Sequence, residues 1–168
     1  KKIISDMNIS QIEKAGFEAD DLMGALAKKF EKEFKILLFT NDHDALQLTN
    51  AHTSVVFQKK NELIEMCPNE VEKKYKLKSN QIIDYKALKG DTSDNIPGVK
   101  GIGDKIAVEL LTTYNNLENI YKNIEQIKSK SVKEKLLKDK EQAYLSQELA
   151  TIKCDIDLEE ELYTFNPD

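Results

Sequence analysis

The 168-residue sequence contains no arginine and no tryptophan, so all 25 of its basic residues are lysine. Arginine's planar fork is the usual reader of base edges in the major groove, whereas lysine is a point charge suited to phosphates. If the protein binds nucleic acid, we therefore expect contacts to the backbone rather than to base sequence. A genome biased toward lysine explains the same composition, so the lysines alone identify no partner.

Cysteines and long apolar runs are also scarce. Cys67 and Cys154 lie far apart without zinc-binding spacing, and we interpret both as reduced thiols of a cytoplasmic protein. No apolar run approaches the roughly 18 residues of a membrane span, and there is no signal peptide. With 40% hydrophobic and 33% charged residues, the composition is that of a soluble globular domain. A membrane partner is therefore not expected.

The first part of the chain predicts alternating helices and strands. Apolar residues at helical spacing predict a helix over about 18–33, and the unbroken run at 36–39 predicts a parallel strand buried on both faces. Two further short strands are predicted at 53–57 and 62–66, around a polar turn. This pattern is typical of an α/β layer.

From residue 68 onward the apolar pattern is helical. Helices are predicted at 69–75, 79–89, 103–114, 116–123 and about 132–150. The last residues are acidic, which is typical of a linker. We therefore divide the chain into an α/β core at 1–67, an all-helical part at 68–155 and an acidic tail at 156–168.

Three acidic clusters form the candidate site. Their members are Glu18, Asp20, Asp21, Asp42, Asp44, Asp91 and Asp94. Each cluster alone has a structural interpretation as a helix cap or a turn. Asp42 and Asp44, however, follow the carboxyl end of the predicted buried strand, the edge where open α/β sheets bind ligands. EF-hand loops starting at Asp42 or Asp91 are excluded, because they lack the required glycine and glutamate.

The chemistry of the three acidic clusters depends on whether they lie together in space. Carboxylates gathered in one cleft repel each other, and divalent cations are the usual remedy. Oxygen-only ligands favour magnesium or manganese, and two such ions about 4 Å apart support hydrolysis of a phosphodiester. The neighbouring carboxylates are also expected to favour the charged form of His43. The acids therefore predict a metal-dependent phosphodiesterase, provided that they meet.

The segment PGVKGIGDKIA, residues 97–107, has the pattern of a helix-hairpin-helix, a glycine turn that exposes backbone amides between two helices. Gly101 and Gly103 can adopt positive φ without a Cβ penalty, and the amides that open the next helix form an anion site. Lys100 and Lys105 flank the turn and can contact phosphates. The structural alternative is a plain corner between helices. Dinucleotide-binding and P-loop motifs are excluded, because their further glycine and lysine positions are missing.

Three blocks, GFEADD, TNDHDALQL and GDTSDNIPGVKGIGDKIA, resemble in this order the 5′-nuclease domain of bacterial DNA polymerase I, within the flap endonuclease superfamily. The resemblance covers nearly the whole chain. It implies a truncated, mostly parallel PIN-like α/β sheet, followed by an all-helical helix-hairpin-helix subdomain. That family's domain begins with a strand carrying an essential aspartate and then a basic helical arch. Neither is found here, so we expect the amino-terminal part to be missing.

The resemblance also implies roles for individual residues. The first acidic cluster would belong to one metal site, and the other two would extend it and build a second site. A potassium ion would lie between a DNA phosphate and the carbonyl oxygens of Val99 and Ile102. The residues expected to contact DNA are Gly98, Lys100, Gly101, Gly103 and Lys105.

The function implied is that of a 5′-nuclease of the bacterial cytoplasm that uses two magnesium or manganese ions. Its substrates would be DNA with 5′ flaps and RNA primers, and its partner the polymerase domain on the same chain. Two alternatives stay open. One is a non-catalytic module that binds duplex DNA regardless of sequence, and the other is a small ribonuclease, which accounts for the acids but not for the turn.

Overall fold

The computed structural model describes residues 2–7 and 9–158, which form a small sheet layer followed by a helical layer. The elements of the first part are α1 (Lys2–Asp6), α2 (Ala19–Phe30), β1 (Ile36–Phe39), a 3-10 helix (His43–Leu48), β2 (Thr53–Lys59) and β3 (Glu62–Met66). Those of the second part are α3 (Pro68–Tyr75), a 3-10 helix (Ser79–Gln81), α4 (Ile82–Lys89), α5 (Asp104–Tyr114), α6 (Leu117–Lys122), a 3-10 helix (Ile124–Gln126), α7 (Lys130–Lys138) and α8 (Lys140–Ala150). This order confirms the predicted fold class. Most of the predicted acidic tail, residues 159–168, lies outside the described residues.

The strands form one sheet in the order β1-β2-β3, in which β1 is parallel to β2 and β2 is antiparallel to β3. One face carries the core, where Leu38 of β1 and Val55 of β2 pack with Val71 of α3. Helix α3 thus packs on the sheet, although it was assigned to the helical part. The predicted boundary after residue 67 stays a prediction.

The other face of β1 differs from expectation. The strand was predicted to be covered on both sides, but Leu37 and Phe39 are 43% and 62% exposed. Side chains alternate between the faces of a strand, so these two point away from the buried Leu38. The outer face of β1 is therefore only partly covered.

The helical layer has a core of its own, in which Leu88, Leu111 and Leu136 are fully buried. The predicted long helix at 132–150 is wrong, because α7 and α8 are separated at Asp139. The Asp139 carboxylate accepts a hydrogen bond from the Lys100 backbone N–H at 2.9 Å. Asp139 has non-helical backbone angles, with a φ of −106° and a ψ of +26°, and is the C-cap of α7.

Helix α4 joins the two layers. Ile82 at its start belongs to the core of the sheet, and Leu88 near its end belongs to the helical core. The helix also contacts the 3-10 helix at 43–48, as well as α5 and α8. Within the described ranges, no helix has the length and apolar character that crossing a bilayer requires.

Candidate metal centre and hairpin turn

Three of the predicted acidic residues meet at one point. The carboxylate oxygens of Asp44, Asp91 and Asp94 lie within 4.8 Å of one another, and we call these residues the acidic trio. Asp44 comes from the 3-10 helix that follows β1, whereas Asp91 and Asp94 come from the loop that follows α4. The fold thus brings members of the second and third clusters together across 50 positions of sequence. Carboxylates this close need a cation among them.

Local hydrogen bonds fix the trio and explain why Asp42 is not part of it. Asp42 precedes the 3-10 helix, and its Oδ1 accepts a hydrogen bond from the Asp44 backbone N–H at 2.8 Å. Asp91 pairs with Ile96 through two backbone hydrogen bonds of 2.8 Å, and its Oδ1 accepts another from the Ser93 N–H at 2.9 Å. Asp42 therefore serves the turn that positions Asp44.

Sequence reasoning missed Lys86 of α4. Its Nζ donates to Asp44 Oδ1 and lies 2.9 Å from Asp91 Oδ2 and 3.3 Å from Asp94 Oδ2. Hydrogen bonds from Ser93, together with the Lys86 ammonium, hold the pKa of Asp91 well below its usual range. A lysine in a predicted helix is normally on a solvated face, so no sequence pattern distinguishes Lys86 from the other lysines.

The first acidic cluster lies beside the trio. A hollow of about 230 Å³ is lined by Glu18, Asp20 and Asp21 at the start of α2, by Asp44, and by residues 148–153. Asp21 accepts hydrogen bonds from the backbone N–H groups of Glu18, at 3.2 Å, and of residue 153, at 2.7 Å. The hollow therefore joins the first cluster to Asp44 of the trio, whereas Asp91 and Asp94 do not line it.

The packing of His43 outweighs the effect of its acidic neighbour on the pKa of the ring. Its ring stacks on Phe57 with centroids 4.7 Å apart, and its Nδ1 lies 2.7 Å from the Tyr75 hydroxyl oxygen. Burial is the main cause that lowers the pKa of His43, and the charge of Lys74 lowers it further. Asp42 acts in the opposite direction but does not outweigh these effects.

The glycine turn is tied to α8 and packs tightly on the end of α4. The Gly98 N–H donates to Ser146 Oγ at 3.0 Å, and the Gln142 side chain donates to the Gly98 carbonyl at 2.7 Å. Gly98 has a φ of +62°, and a Cβ added there would lie 2.2 Å from the Gly90 nitrogen. Only glycine fits at this crossing of two backbone segments.

The two glycines of the turn itself differ from each other. Gly101 has a φ of +82°, as expected, but Gly103 has a φ of −106° and is the N-cap of α5. Gly103 does not use the positive φ that glycine permits, because an N-cap residue adopts extended backbone geometry. Part of the turn is already bonded within the fold, since the Lys135 Nζ donates to the Gly101 carbonyl at 3.1 Å.

Val99 and Ile102 anchor the turn from inside. Both side chains are buried in the helical core. The Val99 N–H donates to the Leu88 carbonyl at 2.8 Å, and the Ile102 N–H donates to the Val99 carbonyl at 3.0 Å. A carbonyl oxygen has two lone pairs, so Val99 keeps one for a further partner.

The start of α5 carries both signs of charge. Lys100 and Lys105 are exposed. The Asp104 carboxylate pairs with Lys89 at 2.9 Å and accepts a hydrogen bond from the Tyr85 hydroxyl. Tyr85 and then Lys89 hold the pKa of Asp104 below its usual value. The acid at this helix start is therefore neutralised within the fold.

Comparison with known proteins identifies the sequence. Residues 1–76 match the family model for the 5′-3′ exonuclease N-terminal resolvase-like domain, and residues 77–168 match that for the 5′-3′ exonuclease C-terminal SAM fold. DNA polymerase I of Caldicellulosiruptor bescii is 46% identical over 163 residues, which cover 94% of this chain and 19% of that protein. DNA polymerase I of Bacillus subtilis is 41% identical over 162 residues, covering 95% and 18%. The chain thus spans less than a fifth of these relatives.

Solved structures support the same fold. T5 5′-exonuclease with bound divalent metal ions (zinc) has a TM-score of 0.77 at 22% identity, covering 90% of this chain and 56% of that one. The bacteriophage T5 D15 flap endonuclease, in a pseudo-enzyme-product complex with DNA and metal ions, has the same TM-score at 21% identity and the same coverage. Since the two family models together account for every residue, the chain belongs to the 5′-3′ exonuclease family.

Proposed function

We propose that the chain supplies metal-binding and DNA-binding residues of a divalent-metal-dependent 5′-nuclease. The observation that carries this proposal is the acidic trio, whose carboxylate oxygens lie within 4.8 Å of one another beside a hollow lined by the first acidic cluster. Membership of the 5′-3′ exonuclease family makes phosphodiester hydrolysis the reaction class. The relatives are DNA polymerases I, so a polymerase on the same longer chain is the proposed partner.

The donor atoms fit magnesium or manganese, because they are carboxylate oxygens only. In this proposal the trio holds one ion, and Glu18, Asp20 and Asp21 contribute to a second. When bound, the ions activate a water and stabilise the charge that develops on the phosphate oxygens. Asp42 takes part as a positioning residue, since its carboxylate holds the backbone N–H of Asp44.

The hairpin turn is the proposed DNA contact. Lys100 and Lys105 offer exposed ammonium groups, and the α5 N-terminus offers backbone amides to a phosphate. The Val99 and Ile102 carbonyls are the proposed potassium ligands. Because the chain has no arginine, these contacts read the backbone rather than the bases. The substrates proposed on this basis are duplexes with a 5′ flap or an RNA primer end.

One observation favours a second candidate, a non-catalytic DNA-binding module. Lys86 already forms ion pairs with all three acids. The trio is therefore also consistent with a purely structural role, as a salt-bridged loop that supports the hairpin. Under this candidate, duplex binding is the same with and without magnesium and falls steeply with salt. A duplex titration with and without magnesium therefore separates the two functions.

The decisive test replaces Asp91 by asparagine, which keeps the shape of the side chain and removes one charge from the trio. The matched control is Asp104→Asn, which removes an acid from the same segment outside the trio. Cleavage of 5′-flap DNA with magnesium is measured in a chain that also carries the expected amino-terminal part. We expect Asp91→Asn to reduce the rate by about 100-fold or more, since even indirect ligand partners contribute about 10–100-fold. Equal rates for the parent and Asp91→Asn would refute the assignment.

A further inference from the structure

We propose that Lys86 is a built-in counter-ion that a divalent cation must displace in order to bind. Its ammonium donates to Asp44 and lies 2.9 Å from Asp91 Oδ2 and 3.3 Å from Asp94 Oδ2. The inference rests on the proposed metal site at the trio and adds a competitor for that site from within the chain.

The space among the carboxylates admits one cation. Their oxygens lie within 4.8 Å of one another. A magnesium ion binds oxygen at about 2.1 Å, so an ion bound to all three acids takes the position that Nζ now holds. Two cations on the same oxygens would repel each other. Binding of the ion and contact with Lys86 therefore exclude each other.

The burial of these four side chains indicates from which side a divalent ion would reach the trio. The Lys86 side chain is 11% exposed and that of Asp44 13%, whereas Asp91 is 25% and Asp94 49% exposed. The ammonium thus approaches from the protein side, along α4, and an ion arriving from solvent meets Asp94 and Asp91 first. The opening at Asp94 is the entry side, and Lys86 withdraws along its own flexible stem.

Lys89, one turn further along α4, shows what an ordinary lysine does here. It pairs with Asp104 at 2.9 Å, and the two side chains are 42% and 69% exposed. Such exposed pairs contribute little. Removal of Lys89 therefore changes the charge of α4 by the same amount as removal of Lys86 and leaves the trio untouched.

The counter-ion role predicts two effects of opposite sign for Lys86→Met. Without metal, the variant is less stable, because three carboxylates lose their cation. With metal, the variant binds the divalent ion more tightly, because no ammonium has to be displaced. A lysine that only stabilises the fold would produce the first effect alone, and a lysine that supports the metal would weaken binding.

The experiment measures manganese binding to the 168-residue chain by calorimetry and melting temperature in EDTA and in manganese. We expect Lys86→Met, and Lys86→Gln as a milder neutral variant, to bind manganese about tenfold more tightly or better and to melt lower in EDTA, as one charge-assisted contact accounts for a tenfold change. Lys86→Arg, which keeps the charge, and Lys89→Met should stay close to the parent.

The outcomes separate this inference from the proposed function. Manganese binding that Asp91→Asn leaves unchanged would overturn the metal site itself, and absence of binding in every variant would overturn both. Binding that Asp91→Asn abolishes but neither neutral Lys86 variant tightens would overturn the counter-ion alone.

Discussion

The crossing of the backbone at Gly98 offers a sharp test of the hairpin geometry. In Gly98→Ala, the added methyl group would have to occupy a position 2.2 Å from the Gly90 nitrogen and 2.6 Å from its α-carbon. An L-residue in the left-handed region costs about 1–2 kcal/mol, and overpacking against immobile backbone adds about 1–3 kcal/mol. We therefore expect the free energy of unfolding to fall by about 2–5 kcal/mol. That is a large part of the roughly 5–15 kcal/mol typical of a domain.

The matched control is Gly103→Ala in the same motif. Gly103 has a negative φ, and no atom of the described residues lies within 4 Å of a Cβ added there. The alanine is a poorer N-cap but restricts the unfolded chain, and these effects largely cancel. Urea unfolding followed by circular dichroism measures both variants. A Gly98→Ala variant within about 0.5 kcal/mol of the parent, or equal losses at both positions, would refute the packing argument, because ordinary surface substitutions stay within that range.

Two further predictions concern α8 and its contacts. In Ser146→Ala, the buried Gly98 N–H loses its acceptor, so we expect a loss of about 1–3 kcal/mol in urea unfolding, and an unchanged midpoint would contradict this. Burial raises the pKa of Asp84, despite hydrogen bonds from Gln147 and from the Leu117 N–H. When the pKa is higher in the folded than in the unfolded state, the resulting stability is fully present below the unfolded pKa of about 4 and is lost as pH rises through the folded pKa. We therefore expect the parent to lose stability relative to Asp84→Asn from about pH 4 upward. A pH-independent difference in free energy of unfolding between the two proteins would refute the raised pKa, because it requires the same pKa in the folded and the unfolded state.

Much of the fold could be predicted from local pattern. The strands at 53–57 and 62–66 and the helix at 103–114 are found as β2, β3 and α5, because apolar periodicity reflects which face each segment buries. The break at Asp139 could not be predicted, since residues 132–150 contain no glycine or proline that would mark it. The same limit applies to His43, whose pKa is lowered by burial and by the charge of the distant Lys74, which outweigh its neighbour Asp42.

The candidate site could also be predicted only in part from the sequence. The sequence motifs point to the acids, and the fold brings Asp44, Asp91 and Asp94 together. Asp42 could not be separated from Asp44 by sequence, because the hydrogen bond between them depends on the 3-10 turn. The contacts of Lys86 with the trio could not be predicted, because they form only when the fold places α4 next to these acids.

Helix α4 links the two proposed binding regions without any intervening loop. Its Leu88 carbonyl accepts the Val99 N–H of the hairpin, and its Lys86 carbonyl accepts the Gly90 N–H at the base of the aspartate loop, both at 2.8 Å. Nucleic acid bound at the turn would therefore contact a segment that is hydrogen-bonded to the helix whose Lys86 ammonium lies among the aspartates. We therefore expect substrate docking at the turn and cation binding at the trio to affect each other through this eight-residue helix.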